Sequence, residues 1–225
     1  MHNLCLLNLI LPIRSIQPNQ KIQMNAFLNN LFATIAIDIN HLYSHLSPNE
    51  INYLERNIKS KSDFDAEFYT HENGENLEVL LHFLTCHKND INTLLNTPEK
   101  SEILFNLYTS SCISGSYDCF RFDLSKFNKT YKSKNHSLKL YRVARYGERS
   151  DNLGNSWSAS SSGLKNYCFA SSIDPSNRTV FSIEINDSEV LFRGNELENE
   201  LVLKPGFEFT NFELLDNNKK QEIFS

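Results

Sequence analysis

The stretch Glu198-Asn199-Glu200-Leu201-Val202-Leu203-Lys204-Pro205-Gly206 carries two carboxylates two residues apart at the mouth of a short apolar run. The run 200–203 is predicted as a strand that Pro205-Gly206 closes. Side chains two apart on a strand leave from the same face. Glu198 and Glu200 are therefore expected to point into one space. Like charges held that close repel, and water or a cationic partner must relieve them. The spacing alone leaves two readings: a solvated edge strand with two surface glutamates, or a site that stabilises developing positive charge.

The segments around this stretch are also β-rich. Residues 137–143 (SLKLYRV), 179–185 (TVFSIEI), 189–192 and 207–215 alternate or are rich in β-formers. One short helix, 162–170, interrupts them. Before residue 130 the texture changes. Phe27, Leu28, Leu31, Ile35, Ile39 and Leu42 recur at helical spacing over 25–46. Ser47-Pro48-Asn49-Glu50 is a helix start, with Ser47 as cap and Glu50 closing a capping box. Residues 77–95 read as a helix in two pieces, and Ser101 begins another. The expected class is α+β: a helical N-terminal lobe (25–130), then a mostly antiparallel β-rich core (131–225). No Gly/Pro/Ser-rich linker separates them near residue 130, which favours one continuous domain over 25–225.

Of the 225 residues, 40% are hydrophobic and 22% charged, which places the chain among globular proteins. The net charge of -5 argues against a dedicated nucleic-acid binder. Lys126, Lys129, Lys132 and Lys134 cluster ahead of a predicted strand and read as a solvated linker. The five cysteines are odd in number and form no C-x-x-C pair. Free thiols in a reducing compartment, with no metal, are the expectation. His41 and His45 lie one helical turn apart but lack the Glu of a zinc-protease motif. The apolar run 4–13 is too short to span a bilayer. It lacks the preceding positive charge and following cleavage site of a secretory signal. Residues 1–24 are read as an apolar tail, with the true start at Met1 or Met24, and no other segment is a membrane candidate.

Three features fall in order within the β half. Arg142 sits inside the apolar run Leu140-Tyr141-Arg142-Val143 and needs an anion, supplied by a structural carboxylate or by a ligand phosphate. Arg145 is its rival and would fall on the opposite strand face. Next comes Gly154-Asn155-Ser156-Trp157-Ser158-Ala159-Ser160, where Ser156 and Ser158 would share one face and Trp157 take the other. No G-x-S-x-G elbow surrounds any serine. Third is the Glu198/Glu200 pair.

This ordered set resembles the ADP-ribosyltransferase superfamily of the R-S-E type. The three pieces here are LYRV (Arg142), NSWSAS (Ser156 and Ser158) and ENELVLKPG (Glu198 and Glu200), over about the last 90 residues. The chain departs from the family at Val143, where glycine is common, and at Trp157, where threonine is common. The resemblance implies a split β-sheet core that binds NAD. It further implies a mono-ADP-ribosyltransferase acting on a protein arginine, as a toxin or effector, with NAD as substrate. Glu200 would stabilise the oxocarbenium-like ribose, and Glu198 would grip the acceptor guanidinium. Arg142 would hold the NAD phosphates or ribose. Ser156 and Ser158 would orient Glu200. Trp157 and Phe169 would wall the nicotinamide pocket or belong to the core. The implied partners are NAD, an unidentified target protein, and an antitoxin or activator. The implied location is the producer's cytoplasm, with secretion or injection as an effector. An NAD glycohydrolase and a non-catalytic binding module on a degenerate transferase fold are the competing readings.

Overall fold

The computed structural model describes residues 24–72, 75–110 and 120–224. The apolar run 4–13, together with Cys5, Cys112 and Cys119, lies outside the described residues.

Among the described residues seven helices make the first lobe: α1 (Ala26–Thr34), α2 (Ile39–His45), α3 (Pro48–Asn57), α4 (Lys61–Asp65), α5 (Glu75–Cys86), α6 (Lys88–Asn96) and α7 (Ser101–Tyr108). Their apolar stripes meet in a core that includes Leu28, Phe32, Leu54, Phe64, Leu80 and Leu84. The capping box at Ser47 is formed, with the Ser47 N–H donating to Glu50 Oε2 at 2.7 Å. The other oxygen of Glu50 accepts the Leu77 N–H at 3.0 Å, so one carboxylate ties two helices together. The continuous helix expected over 25–46 is broken. Ala36 adopts a left-handed φ of 55°, Ile37 bridges to Phe122, and Asp38 caps a new helix by accepting the Asn40 and His41 N–H groups.

The second part contains β1 (Ser137–Val143), β2 (Ser156–Ser158), α8 (Ser161–Ala170), β3 (Val180–Asn186), β4 (Val190–Arg193), β5 (Glu200–Leu203), β6 (Thr210–Leu214) and α9 (Asn217–Phe224). The strands join in one six-stranded sheet of order β4-β5-β2-β1-β3-β6 with antiparallel neighbours. The described strands are thus connected where the resemblance implied a split sheet, with register shifts on β4 and β3. The last expected strand, 207–215, is shorter than its pattern. Phe207 and Phe209 leave the ladder and pack against the cluster around Trp157 and Leu201.

Register assigns the faces. Tyr141 pairs with Ser158, and Ser158 with Glu200, so these three leave from one face. Leu140, Trp157 and Leu201 leave from the other and are buried together. The helical lobe meets the first face through aromatic rings. Tyr108 and Phe105 of α7 pack edge-on to Phe192 at 5.2 and 5.4 Å, with Val202 buried in the same cluster. Such pairs add about 0.5–1.5 kcal/mol each beyond their buried area, and here they hold α7 over the strand that bears Glu200.

The lysine-bearing segment 126–134, read from the sequence as solvated, is strapped down. Thr130 and Tyr131 both donate their N–H groups to the Leu191 carbonyl on the outer strand β4. Lys129 Nζ donates to the Ser188 carbonyl at 2.7 Å.

Candidate active site

A cavity of about 130 Å³ opens where β1, β2 and β5 meet α8, and Glu198, Glu200, Ser156, Ser158 and Arg142 all line it. With Trp157, which also lines it, the cavity brings together six of the seven site residues singled out above.

Glu200 opens β5. Ser156 Oγ donates to its Oε1, and the Asn195 N–H donates to its Oε2 at 2.8 Å. The carboxylate lies directly over Gly194, where any Cβ would collide with it. The two serines divide their labour. Ser156 holds Glu200 as expected. Ser158 instead shares its one hydroxyl proton between the main-chain carbonyls of Glu198 and Ser160, at 2.7 and 2.9 Å. Ser160 caps α8 through the Gly163 N–H and accepts a hydrogen bond from Asn199 Nδ2 at 3.1 Å. The serine run therefore ties β2, α8 and the Glu198 turn into one unit.

Glu198 shares the cavity for a reason other than strand alternation. The strand starts at Glu200, and Glu198 sits in the preceding turn, where Asn199 takes a left-handed φ of 46°. Asn195 Nδ2 donates to Glu198 Oε1 at 3.4 Å. Burial, and then the neighbouring Glu200 charge, push the Glu198 carboxyl up to about 7. It can therefore take or release a proton near neutrality. Among the described residues no group of three His, Cys, Asp or Glu converges, so this acidic pair has no third metal-ligand partner.

The anion that Arg142 needs is Glu148. Arg142 Nε lies 2.9 Å from Glu148 Oε1, and the two side chains are 9% and 4% exposed. Arg142 Nη1 donates to the Ser156 carbonyl at 2.6 Å, which couples the guanidinium to the strand that holds Glu200. Burial raises the Glu148 carboxyl, but the Arg142 charge and the N–H groups of Arg145 and Gly154 outweigh it. The carboxyl is held below its ordinary range. Sequence reasoning missed Glu148, because only the turn over 144–154 brings it back to the strand. Arg145 is not carried to the opposite face: β1 ends at Val143, and Arg145 also lines the cavity.

Phe169 is the one site residue that the structure moves away. It is 89% exposed and belongs neither to the cavity nor to the core. α8 docks through Gly163, Leu164 and Cys168, and Phe169, one residue past Cys168, turns about 100° toward solvent. The aromatic that α8 supplies is Tyr167, and β1 supplies Tyr141. Trp157 is 1% exposed and donates its Nε1–H to the Gly154 carbonyl at 2.8 Å, so its body is core and only an edge faces the cavity. Tyr108 of the helical lobe does not line the cavity, but it feels the acidic pair. Burial raises its hydroxyl well above the ordinary tyrosine value, and the Glu200 charge raises it further. The hydroxyl is thus within electrostatic reach of the acidic pair.

Comparisons with protein-family models, with curated proteins and with solved structures return no match for this chain. The site is read on its own chemistry.

Proposed function

We propose that the chain is a mono-ADP-ribosyltransferase that moves ADP-ribose from NAD to a protein arginine. The observation that carries this reading is the oriented acidic pair. One glutamate is fixed by a serine hydroxyl and a main-chain N–H, and the other shares its cavity and titrates near neutrality. The nicotinamide of NAD is already cationic, so its departure needs no general acid, and positive charge develops on the ribose. Glu200 is held where a carboxylate stabilises such charge, without reorganising as the charge appears. Glu198 offers an acceptor guanidinium a two-point charged hydrogen bond and a base matched to neutral pH.

The cavity is smaller than a whole-ligand pocket, which usually exceeds about 300 Å³. It suits one ring of the dinucleotide, between Tyr141 and Tyr167, with the rest lying across the open rim. Arg142 and Arg145 provide positive charge in the same wall. Because Arg142 is already paired with Glu148, its first duty is to brace Ser156, and any hold on phosphate is additional.

The pKa of Glu198 also favours a second reading. A base that titrates near neutrality activates water as readily as a guanidinium, which would make the protein an NAD glycohydrolase. Incubation with NAD and a small guanidino acceptor separates the two. Mass spectrometry of the products would show ADP-ribosylated acceptor for a transferase and free ADP-ribose for a glycohydrolase. If neither product exceeds the protein-free control, both readings fail.

A further inference from the structure

Away from the acidic site, two cavities adjoin between α7 and the strapped segment that follows it. The first, about 570 Å³, is lined by Lys132, Lys134, His136 and Arg193 together with Tyr131 and Leu138. The second, about 320 Å³, is apolar in character, with Leu104, Phe105, Phe127 and Phe192 in its walls. Phe105 and Thr130 line both, so they form one groove with a basic end and an apolar end. By register, Leu138 and Arg193 leave the sheet on the face opposite Ser158 and Glu200. Phe192, in the apolar end, leaves on the Glu200 face, but no residue lines both this groove and the cavity at the acidic pair, so the two are separate.

The protein carries a net charge of -5, yet four basic side chains, all exposed, gather at the basic end. Thr130 and Tyr131 are pinned to Leu191, which lays the segment out so that Lys132, Lys134 and His136, each two apart, share one cavity. The apolar end is also lined by Glu102 and Lys126, and among the described residues the one carboxylate lining the basic end is Asp187. It is 2% exposed and already accepts from Ser133 Oγ and from the N–H groups of Lys134 and His136. It stiffens the segment, and its single charge is outnumbered by Lys132, Lys134 and Arg193. The aromatic rings are arranged differently from a base-stacking platform. Phe105 meets Phe192 edge-on at 80°, and the Arg193 guanidinium covers the Tyr131 ring at 5.3 Å. Nucleic-acid platforms present open ring faces instead. An apolar slot beside a basic patch fits a protein segment with one buried anchor and flanking carboxylates. The chain's own residues 1–23 are a poor electrostatic match, since they carry Arg14 and Lys21 and no carboxylate.

We infer that this groove is a docking site for an acidic peptide segment of a partner protein. A Leu, Phe or Trp of the partner would seat among Leu104, Phe105, Phe127 and Phe192, and its Asp or Glu residues would face Lys132, Lys134, His136 and Arg193. The inference does not depend on the reaction proposed for the acidic site.

The test is selection of short random peptides displayed on phage against the full chain, followed by fluorescence anisotropy with the recovered peptides. Recovered sequences should combine a large apolar residue with several Asp or Glu. Their affinity should fall at least about ten-fold in the double variant Lys132→Glu/Lys134→Glu and weaken as salt is raised. Both lysines are exposed and support no core contact, so the variant should fold, and its circular dichroism should match the parent. Recovered peptides without acidic enrichment would overturn the inference. So would affinity that is unchanged in the double variant. Tighter binding of an oligoadenylate RNA through the same two lysines would overturn it in favour of a nucleic-acid site.

Discussion

Ser156 and Glu200 are diagonal neighbours across β2 and β5, and the serine hydroxyl donates to the glutamate's Oε1. The carboxylate is thereby aimed before any ligand arrives. A hydrogen bond to a charged acceptor contributes about 1.5–3 kcal/mol. Ser156→Ala is expected to lower kcat for NAD cleavage about ten-fold or more, with little change in KM or in the unfolding midpoint. Ser156→Thr keeps the hydroxyl and suits a strand, so it should restore most of the rate.

Gly194 leaves room for the same carboxylate. In Gly194→Ala the new methyl group would meet the end of the Glu200 side chain, and that flexible end can swing aside. The variant should fold, with a melting temperature close to the parent's, yet lose NAD cleavage nearly as completely as a Glu200 variant. A large drop in stability with activity intact would mean that the glycine serves the backbone rather than the carboxylate.

The buried Arg142–Glu148 pair is a framework element. Glu148→Ala strands the guanidinium and removes the acceptor for the Arg145 and Gly154 N–H groups. Unpairing a buried charge typically costs about 3–5 kcal/mol, which urea unfolding would read directly. The double change Arg142→Met/Glu148→Leu should destabilise less than Glu148→Ala alone, because no charge is left stranded.

Glu198 gives the account a pH signature. Its carboxyl is raised to about 7. Between the ordinary value of 4.5 and about 7 the unfolded chain has lost a proton that the folded chain keeps. The raised value therefore favours the fold below that window, and the benefit is lost as pH rises through it. Glu198→Gln should match the parent near pH 4. At pH 8 it should be more stable by on the order of 1 kcal/mol, a figure reduced for solvent screening. Transfer to a guanidino acceptor should rise with pH through about 7 in the parent and stay low and flat in Glu198→Gln. Identical pH profiles for the two proteins would remove Glu198 from the acceptor role.

The elements legible in the sequence are those whose pattern is local. β1 and β5 begin and end where alternation placed them, and the Ser47 box needs only four consecutive residues. The break between α1 and α2 depends on Ile37 pairing with Phe122, about 85 residues away, and no periodicity within 25–46 reports that. The exposure of Phe169 is not legible in the sequence, because a helix pattern does not say which residues dock until Leu164 and Cys168 meet Val143 and Val180. At the site, the identities of Arg142, Ser156, Glu198 and Glu200 could be read from motif order. Their partners could not: Glu148 and Asn195 reach Arg142 and Glu200 only through turns, and Tyr167 reaches the cavity only through helix docking.

The central claim is that Glu200 is the carboxylate on which NAD cleavage depends. Nicotinamide release from NAD by purified protein, measured beside Glu200→Ala of verified fold, tests it most directly. The account predicts steady release by the parent and a loss on the order of 100-fold or more in the variant. Equal release by the two proteins, or none by the parent with and without cell lysate, would contradict it.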